Sequence, residues 1–304
     1  MIEVLNLGAG VQSSTVLLMS IKGELPKLDY AIFADTGWEP AAVYRQMDWL
    51  EEQAVEAGIK VHRVTLGDIT NDGFESIKDD ALTAQKAGGM MGLDAELKAK
   101  AKAQGANDHP GRWASMPYFT LGPNGEKGQI RRQCTYEYKI RPIERCLRRV
   151  MLGLKPRQRA PRDPVMRQWF GISWDEVRRV RPDDTPWVRR YYPLCENHVT
   201  RTMCFDWLDK NGFDEPPRSA CIGCPYHHNR EWREMKADRP EEWEEAVAFD
   251  HAIRKCGGMR GDVFLHSQRV PLDEANLWTD QDERQMALFG LPGIVDECSG
   301  MCGV

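Results

Sequence analysis

The chain has 304 residues, 41% of them hydrophobic and 29% charged, with 41 Lys+Arg against 46 Asp+Glu for a net charge of −5. That composition excludes a disordered acidic chain and suits one large α/β domain, or two modest ones, with a sizeable core. No apolar run approaches the roughly 18 residues that span a bilayer, and Met1-Ile2-Glu3-Val4-Leu5-Asn6 lacks the basic region and apolar stretch of a secretory signal, so the expectation is a cytoplasmic protein with no membrane partner.

Residues 2–7 read as a short strand, followed by a glycine-rich turn and a helix from near Ser13 or Ser14. Residues 29–34 read as a second buried strand. From Pro40 to Ala57 the apolar positions Val43, Met47, Leu50 and Ala54 recur at helical spacing, and Gly58 stands just past the last turn. Residues 59–65 alternate as a third strand. Strand, helix, strand, helix and strand within about 65 residues predict right-handed crossovers in a mostly parallel sheet flanked by helices.

Residues 70–128 are less regular and suit an insertion or lid, with an exposed helix over 95–103 and a hairpin tip at Pro123-Asn124-Gly125. Ile140, Ile143, Leu147 and Met151 predict an amphipathic helix, and residues 155–164, rich in Pro and Arg, a loop. A further strand is expected at 168–172 and helices at 200–211, 230–237 and 240–255. Two domains follow: an α/β domain over 1–229, and a helical C-terminal region over 230–304 that ends in a mobile Gly- and Cys-bearing tail.

The net charge conceals an asymmetry. Residues 131–190 hold 17 Lys+Arg and 7 Asp+Glu, a net of +10, while the rest of the chain carries −15. Such a basic segment suits an anion, either a phosphorylated small molecule or a nucleic-acid backbone, or simply forms a solvated face.

The turn Gly8-Ala9-Gly10-Val11-Gln12-Ser13-Ser14-Thr15 joins the first strand to the first helix. Glycines let backbone approach an anion, the free amides of a helix start stabilise phosphate or sulfate, and Ser13 and Ser14 can donate or cap. It is not a Walker loop, lacking Gly-Lys-Ser/Thr. The second strand ends in Phe33-Ala34-Asp35-Thr36-Gly37-Trp38-Glu39-Pro40, and ligands of open α/β sheets bind outside the carboxyl ends of strands.

These two loops, with the helix Val43-Tyr44-Arg45-Gln46-Met47-Asp48-Trp49-Leu50, resemble the phosphoadenosine phosphosulfate (PAPS) reductase family of the PP-loop, adenine-nucleotide alpha-hydrolase-like superfamily. The resemblance implies a Rossmann-like sheet and an adenine nucleotide held at Gly8, Gly10, Gln12, Ser13, Ser14, Asp35, Thr36 and Gly37. PP-loop pyrophosphatases carry Ser-Gly-Gly-x-Asp-Ser, whereas here Val11 and Gln12 occupy the positions corresponding to x and Asp. Loss of that acid weakens the case for Mg²⁺-assisted ATP cleavage and points to the branch that binds adenylyl sulfate. In that branch an Arg-bearing loop contacts the anionic end of the substrate. Ser173 stands where one such Arg is expected and Arg178 remains, while Arg131, Arg132, Lys139 and Arg141 can add charge.

Nine cysteines, an odd count with no export signal, favour metal or redox chemistry over a disulfide framework. Cys221-Ile222-Gly223-Cys224-Pro225 spaces two thiolates for one metal centre, and Cys-Pro is a common ending of iron–sulfur ligand runs. For zinc the partner pair would be Cys195 with Cys204, or His227 with His228, neither at ribbon or finger spacing. The iron–sulfur adenylyl-sulfate reductases carry a Cys-Cys element upstream of the Cys-x-x-Cys. Cys134 stands there, with 86 residues between it and Cys221 and Thr135 in the second place. The resemblance thus implies a [4Fe–4S] cluster on Cys134, Cys221 and Cys224, with Cys204 standing in as fourth ligand, and zinc as the alternative. Cys146 and Cys256 read as buried thiols.

The reductases also end in a Glu-Cys-Gly tail bearing the nucleophile, which Glu297-Cys298 resembles, with Ser299 intervening before Gly300 and Cys302 extra. The resemblance implies catalytic roles for Cys298 and Cys302 and a thioredoxin-like thiol donor. The expected activity is reduction of adenylyl sulfate or PAPS to sulfite. The alternatives are an iron–sulfur PP-loop sulfurtransferase using ATP to modify tRNA or DNA, and a non-catalytic nucleotide- or metal-binding module. His266 is expected to be structural.

Overall fold

The computed structural model describes residues 1–67, 76–86, 116–255 and 261–278. The strands in chain order are β1 (Ile2–Asn6), β2 (Tyr30–Ala34), β3 (Lys60–Val64), β4 (Phe119–Leu121), β5 (Lys127–Gln129), β6 (Met166–Phe170), β7 (Val188–Tyr191) and β8 (Asp262–Phe264). The helices are α1 (Val11–Ile21), α2 (Ala41–Glu56), α3 (Ile77–Lys86), α4 (Arg141–Cys146), α5 (Pro193–Glu196), α6 (Arg201–Lys210), α7 (Asn229–Asp238) and α8 (Pro240–Ile253). Helix α4 is extended at both ends by π-type turns, Tyr136–Ile140 and Leu147–Met151. Pro142 offers no N–H to the regular ladder at this point, and the run accommodates it by opening into the wider turn before it. Among the described residues no helix is long and apolar enough to cross a membrane.

The described residues divide into two compact units. In the first, built from 1–67 and Thr135–Ala220, five parallel strands take the order β3-β2-β1-β6-β7. Alternate strand residues face opposite ways. Leu5, Phe33 and Trp169 join α1, α2 and α6 in one core cluster. Val4, Ile32, Met166 and Val188 join Ile143, Cys146 and Leu147 in another. The sheet is therefore covered on both faces, as parallel sheets are. The predicted α2 stripe is fully buried, with Val43, Met47, Leu50 and Ala54 all 0% exposed, and Gly58 ends the helix in the left-handed region at φ +76°.

The second unit contains the described parts of 70–134 and 221–278. Strands β5-β4-β8 form an antiparallel sheet, with Phe119 opposite both Gln129 and Phe264. This ladder accounts for residues 119–129 standing with 262–264 in the second unit. The predicted hairpin, turning at Gly125 (φ +84°), is hydrogen-bonded to β8, so this stretch belongs with the C-terminal part. Helix α8 packs against α3 and α7. Its buried Asp250 accepts the backbone N–H groups of Leu265 (2.7 Å) and Leu272 (3.0 Å) and pairs with Arg254. His266, expected to be structural, is buried and hydrogen-bonded on both ring nitrogens. Its Nε2 meets Asn229 Oδ1 at 2.8 Å, its Nδ1 accepts the Gln268 N–H, and burial pushes its pKa down.

Candidate functional site

The order β3-β2-β1-β6-β7 places β1 between one strand reached by a short crossover and another that arrives some 160 residues later. That is the switch point of an open α/β sheet, where loops at the carboxyl ends of neighbouring strands part to leave a crevice. The loop after β1 is the glycine turn. Its left-handed residue is Ala9 (φ +56°), while Gly10 is extended at φ −91° and stands as the N-cap of α1. An L-residue in that region costs about 1–2 kcal/mol, so the surrounding structure holds the turn in place.

The helix begins at Val11, two residues before the expected serines, and Gly10 supplies no capping side chain. Ser13 instead braces the turn. Its Oγ accepts the Gly8 N–H at 3.1 Å and donates to the Gly10 carbonyl at 3.2 Å. No acidic residue occupies the first turn of α1, so its positive end is left for a ligand. Ser14 is 0% exposed, and its hydroxyl has no hydrogen-bond partner among the described residues.

Gly171, just after β6, closes on this turn. A Cβ there would lie 2.7 Å from Ser13 N, 2.8 Å from Ser13 Cα and 3.0 Å from Gln12 C. The two switch-point loops thus touch backbone to backbone. Ser173, also 0% exposed, carries a second unpartnered hydroxyl. Gln12, expected to meet the nucleotide, spans the two loops. Its Nε2 donates to Glu176 Oε2 at 3.1 Å, and its Oε1 faces Arg201 Nη1 at 3.5 Å. Glu176 is also paired with Arg179 at 2.7 Å. The residue that turns inward here is therefore Arg179, whereas Arg178 is exposed.

The loop after β2 is similarly organised from within. Asp35 Oδ1 accepts the Gly37 N–H at 2.7 Å and the Tyr44 hydroxyl at 2.9 Å, and Gly37 turns at φ +69°. Burial and the Asp35 carboxylate push the Tyr44 phenol well above its ordinary value. Thr36 donates to buried Glu39 at 3.1 Å. Lys139, expected at the substrate anion, pairs with the same carboxylate at 3.5 Å. Nothing in the sequence at positions 39 and 139 marked this pair.

The predicted metal residues are distributed unevenly. Cys134, Cys221 and Cys224 belong to the second unit and are part-exposed. Cys224 N–H bonds to the Cys221 carbonyl at 3.0 Å, and His227 Nε2 meets that same carbonyl at 2.9 Å while its ring packs edge-on against Trp232. His227 thus fixes the turn. Arg132 lies over the Tyr226 ring at 5.7 Å, which draws the segment before Cys134 beside the one after Cys224, while Arg131 is exposed. Three thiols on adjoining segments are suitable soft-metal donors. Even so, no three His, Cys, Asp or Glu side chains converge as around a metal ion among the described residues.

Cys204 sits in the core of the first unit at 0% exposure, and burial pushes its thiol up to about 12. Cys204, expected as the fourth ligand, packs beside Leu208 and the α1 side chains in that core. Cys195 is likewise buried, its thiol pushed up to about 11. Cys298, Cys302 and Cys256 lie outside the described residues, as does the helix expected over 95–103.

Fold and site together define an open, parallel α/β unit with its crevice at the β1/β6 switch point. No family model and no curated protein matches the chain. Among solved structures, the phosphoadenylyl-sulfate (PAPS) reductase from Candida auris, in a phosphate complex, aligns over 71% of this chain and 74% of that one. The two share 12% identity at a TM-score of 0.37, a likeness too distant to place the chain in that family.

Proposed function

We propose that the chain is an enzyme that holds an adenine nucleotide by its phosphates at the start of α1 and acts on a sulfur group, reducing adenylyl sulfate or its 3′-phosphorylated form. The carrying observation is the uncapped N-terminus of α1, braced by Ser13 and closed by Gly171, with the unpartnered Ser14 hydroxyl beside it. Backbone amides and a helix dipole suit a phosphate or sulfate. The sulfur chemistry follows from the resemblance of the two loops and of the terminal Glu297-Cys298.

The reaction balances as follows. The Cys298 thiolate attacks the sulfate sulfur, an S–S bond forms, the S–O bond to the phosphate breaks, and the adenosine phosphate leaves. A second thiol, from Cys302 or a thioredoxin-like dithiol, attacks Cys298, releases sulfite and forms a disulfide, so that thiols supply both electrons. The thiols of Cys134, Cys221 and Cys224 would hold a metal centre, [4Fe–4S] or zinc, whose charge would bias the local electrostatics; no step above passes through it.

The test is sulfite release from adenylyl sulfate and from PAPS with a dithiol donor, measured for wild type and Cys298→Ala. Release that disappears in the variant is expected. Absence of release from both substrates in wild type rejects the reading. A second reading, sulfur transfer to nucleic acid, is favoured by the arginine excess over 141–162, and thiolated nucleosides in digested nucleic acid would be its product.

A further inference from the structure

The basic segment folds into something more defined than a charged face. On the first unit, the helical run 136–151 carries a groove of about 220 Å³ lined by Tyr136, Arg141, Glu144, Arg145, Arg148 and Arg149. Arg148 is also a wall of a second groove, of about 470 Å³, which the loop 157–162 edges with Arg157, Arg159 and Arg162 above Trp187. The Arg148 guanidinium donates to the Gln158 carbonyl at 2.9 Å and so ties helix to loop.

Five of the arginines in these linings are left without a carboxylate partner among the described residues. Arg141, Arg149, Arg157, Arg159 and Arg162 form no ion pair with a described carboxylate. Among the described residues one carboxylate, Glu144, lines these grooves. Concentrating like charges in this way opposes folding, whereas an extended polyanion crossing both grooves would relieve the repulsion. Tyr136 adds a second element, an aromatic ring 56% exposed at the wall of the first groove. Arginines along a track with an exposed aromatic ring suit a strand whose bases are free to stack, because backbone charge and base face are then met together.

We propose that the two arginine grooves bind the phosphodiester backbone of a single-stranded nucleic acid, with Tyr136 stacking on one base. The residues that line the grooves are not those of the α1 turn, so oligonucleotide binding and sulfite release can fail independently.

The experiment is fluorescence anisotropy of the full chain with a labelled 20-nucleotide RNA, the DNA of the same sequence, and the duplex, over about 50–200 mM salt. For single strands the logarithm of the binding constant falls with log salt by about 0.7 per phosphate neutralised. Arg149→Gln with Arg162→Gln, one arginine from each groove, should make that slope shallower by about 1.4 and weaken binding. Tyr136→Ala should weaken binding by about tenfold and leave the slope unchanged. Lys127→Gln with Lys210→Gln removes the same charge from exposed lysines that line neither groove and should have little effect. The RNA and DNA arms identify which sugar is preferred. The proposal is overturned if neither strand binds at the lowest salt, or if the lysine pair weakens binding as much as the arginine pair. It is equally overturned if the duplex binds as tightly as the strand and Tyr136→Ala binds unchanged.

Discussion

Replacing Gly171 with Ala tests whether the crevice depends on two loops meeting without a side chain between them. The added methyl would lie 2.7 and 2.8 Å from Ser13 N and Cα, and 3.0 Å from Gln12 C. All three are backbone atoms, which cannot rotate away as a side-chain tip can. The first turn of α1 would have to move by several tenths of an ångström away from β6. Overpacking of this kind costs about 1–3 kcal/mol. With a urea slope of about 2 kcal/mol/M, the unfolding midpoint of the first unit falls by about 0.5–1.5 M. Calorimetry with adenylyl sulfate should show a parallel loss of about tenfold or more, since 1.4 kcal/mol is a factor of ten. Gly10→Ala separates the two effects. Its Cβ would meet Ser219 Cβ at 3.8 Å, an ordinary contact, and φ −91° accepts a side chain. Stability should therefore change by less than about 1 kcal/mol, while nucleotide affinity falls because the methyl intrudes where the anion approaches. Wild-type stability in Gly171→Ala refutes the packing argument, and wild-type affinity in Gly10→Ala refutes the anion site.

Cys204 predicts a loss of stability at alkaline pH. Its thiol is held to about 12 against an ordinary 9.0, so the folded chain keeps a proton that the unfolded chain gives up. The contribution is full below pH 9 and is lost progressively toward pH 12. By pH 10.5 that loss amounts to about 2 kcal/mol, so urea unfolding at pH 7.5 and 10.5 should show an alkaline loss larger by about that amount in wild type than in Cys204→Ala, where Cys195 still contributes. An equal alkaline loss in both proteins counts against the assignment. Anaerobic purification with iron, sulfide and zinc analysis should give about four irons per chain for a cubane cluster. Cys221→Ala and Cys224→Ala should lower that content and Cys204→Ala should not; zinc alone removes the cluster, and neither metal removes the centre.

The parts of the fold built on local periodicity were legible in the sequence. Val43, Met47, Leu50 and Ala54 recur on one helical face, and all four are buried. Strand β7 was missed because Val188-Arg189-Arg190-Tyr191 does not alternate in the usual apolar way. It is an edge strand whose arginines pair with Asp183 and Asp184 just upstream. Gly8 and Gly10 marked the turn, but its left-handed position is Ala9, and the closing residue, Gly171, is far away in the chain. Contacts of that range leave no local pattern, and the same holds for Gln12 with Glu176 and Glu39 with Lys139. The choice between Arg178 and Arg179 depends on the phase of a short 3-10 turn, Trp174–Arg179, which composition does not determine.

The strand order carries a consequence for synthesis. β1 finds β2 soon after emerging, Val4 pairing with Tyr30, but its other flank waits for β6, where Ile2 pairs with Met166. At translation rates of about 5–20 residues per second, that interval lasts roughly 10–30 s. Throughout it the nascent three-stranded fragment presents an apolar strand with unsatisfied amides and carbonyls, a template for pairing with another chain. Folding of the first unit is thereby tied to the pace of the ribosome across the intervening segment.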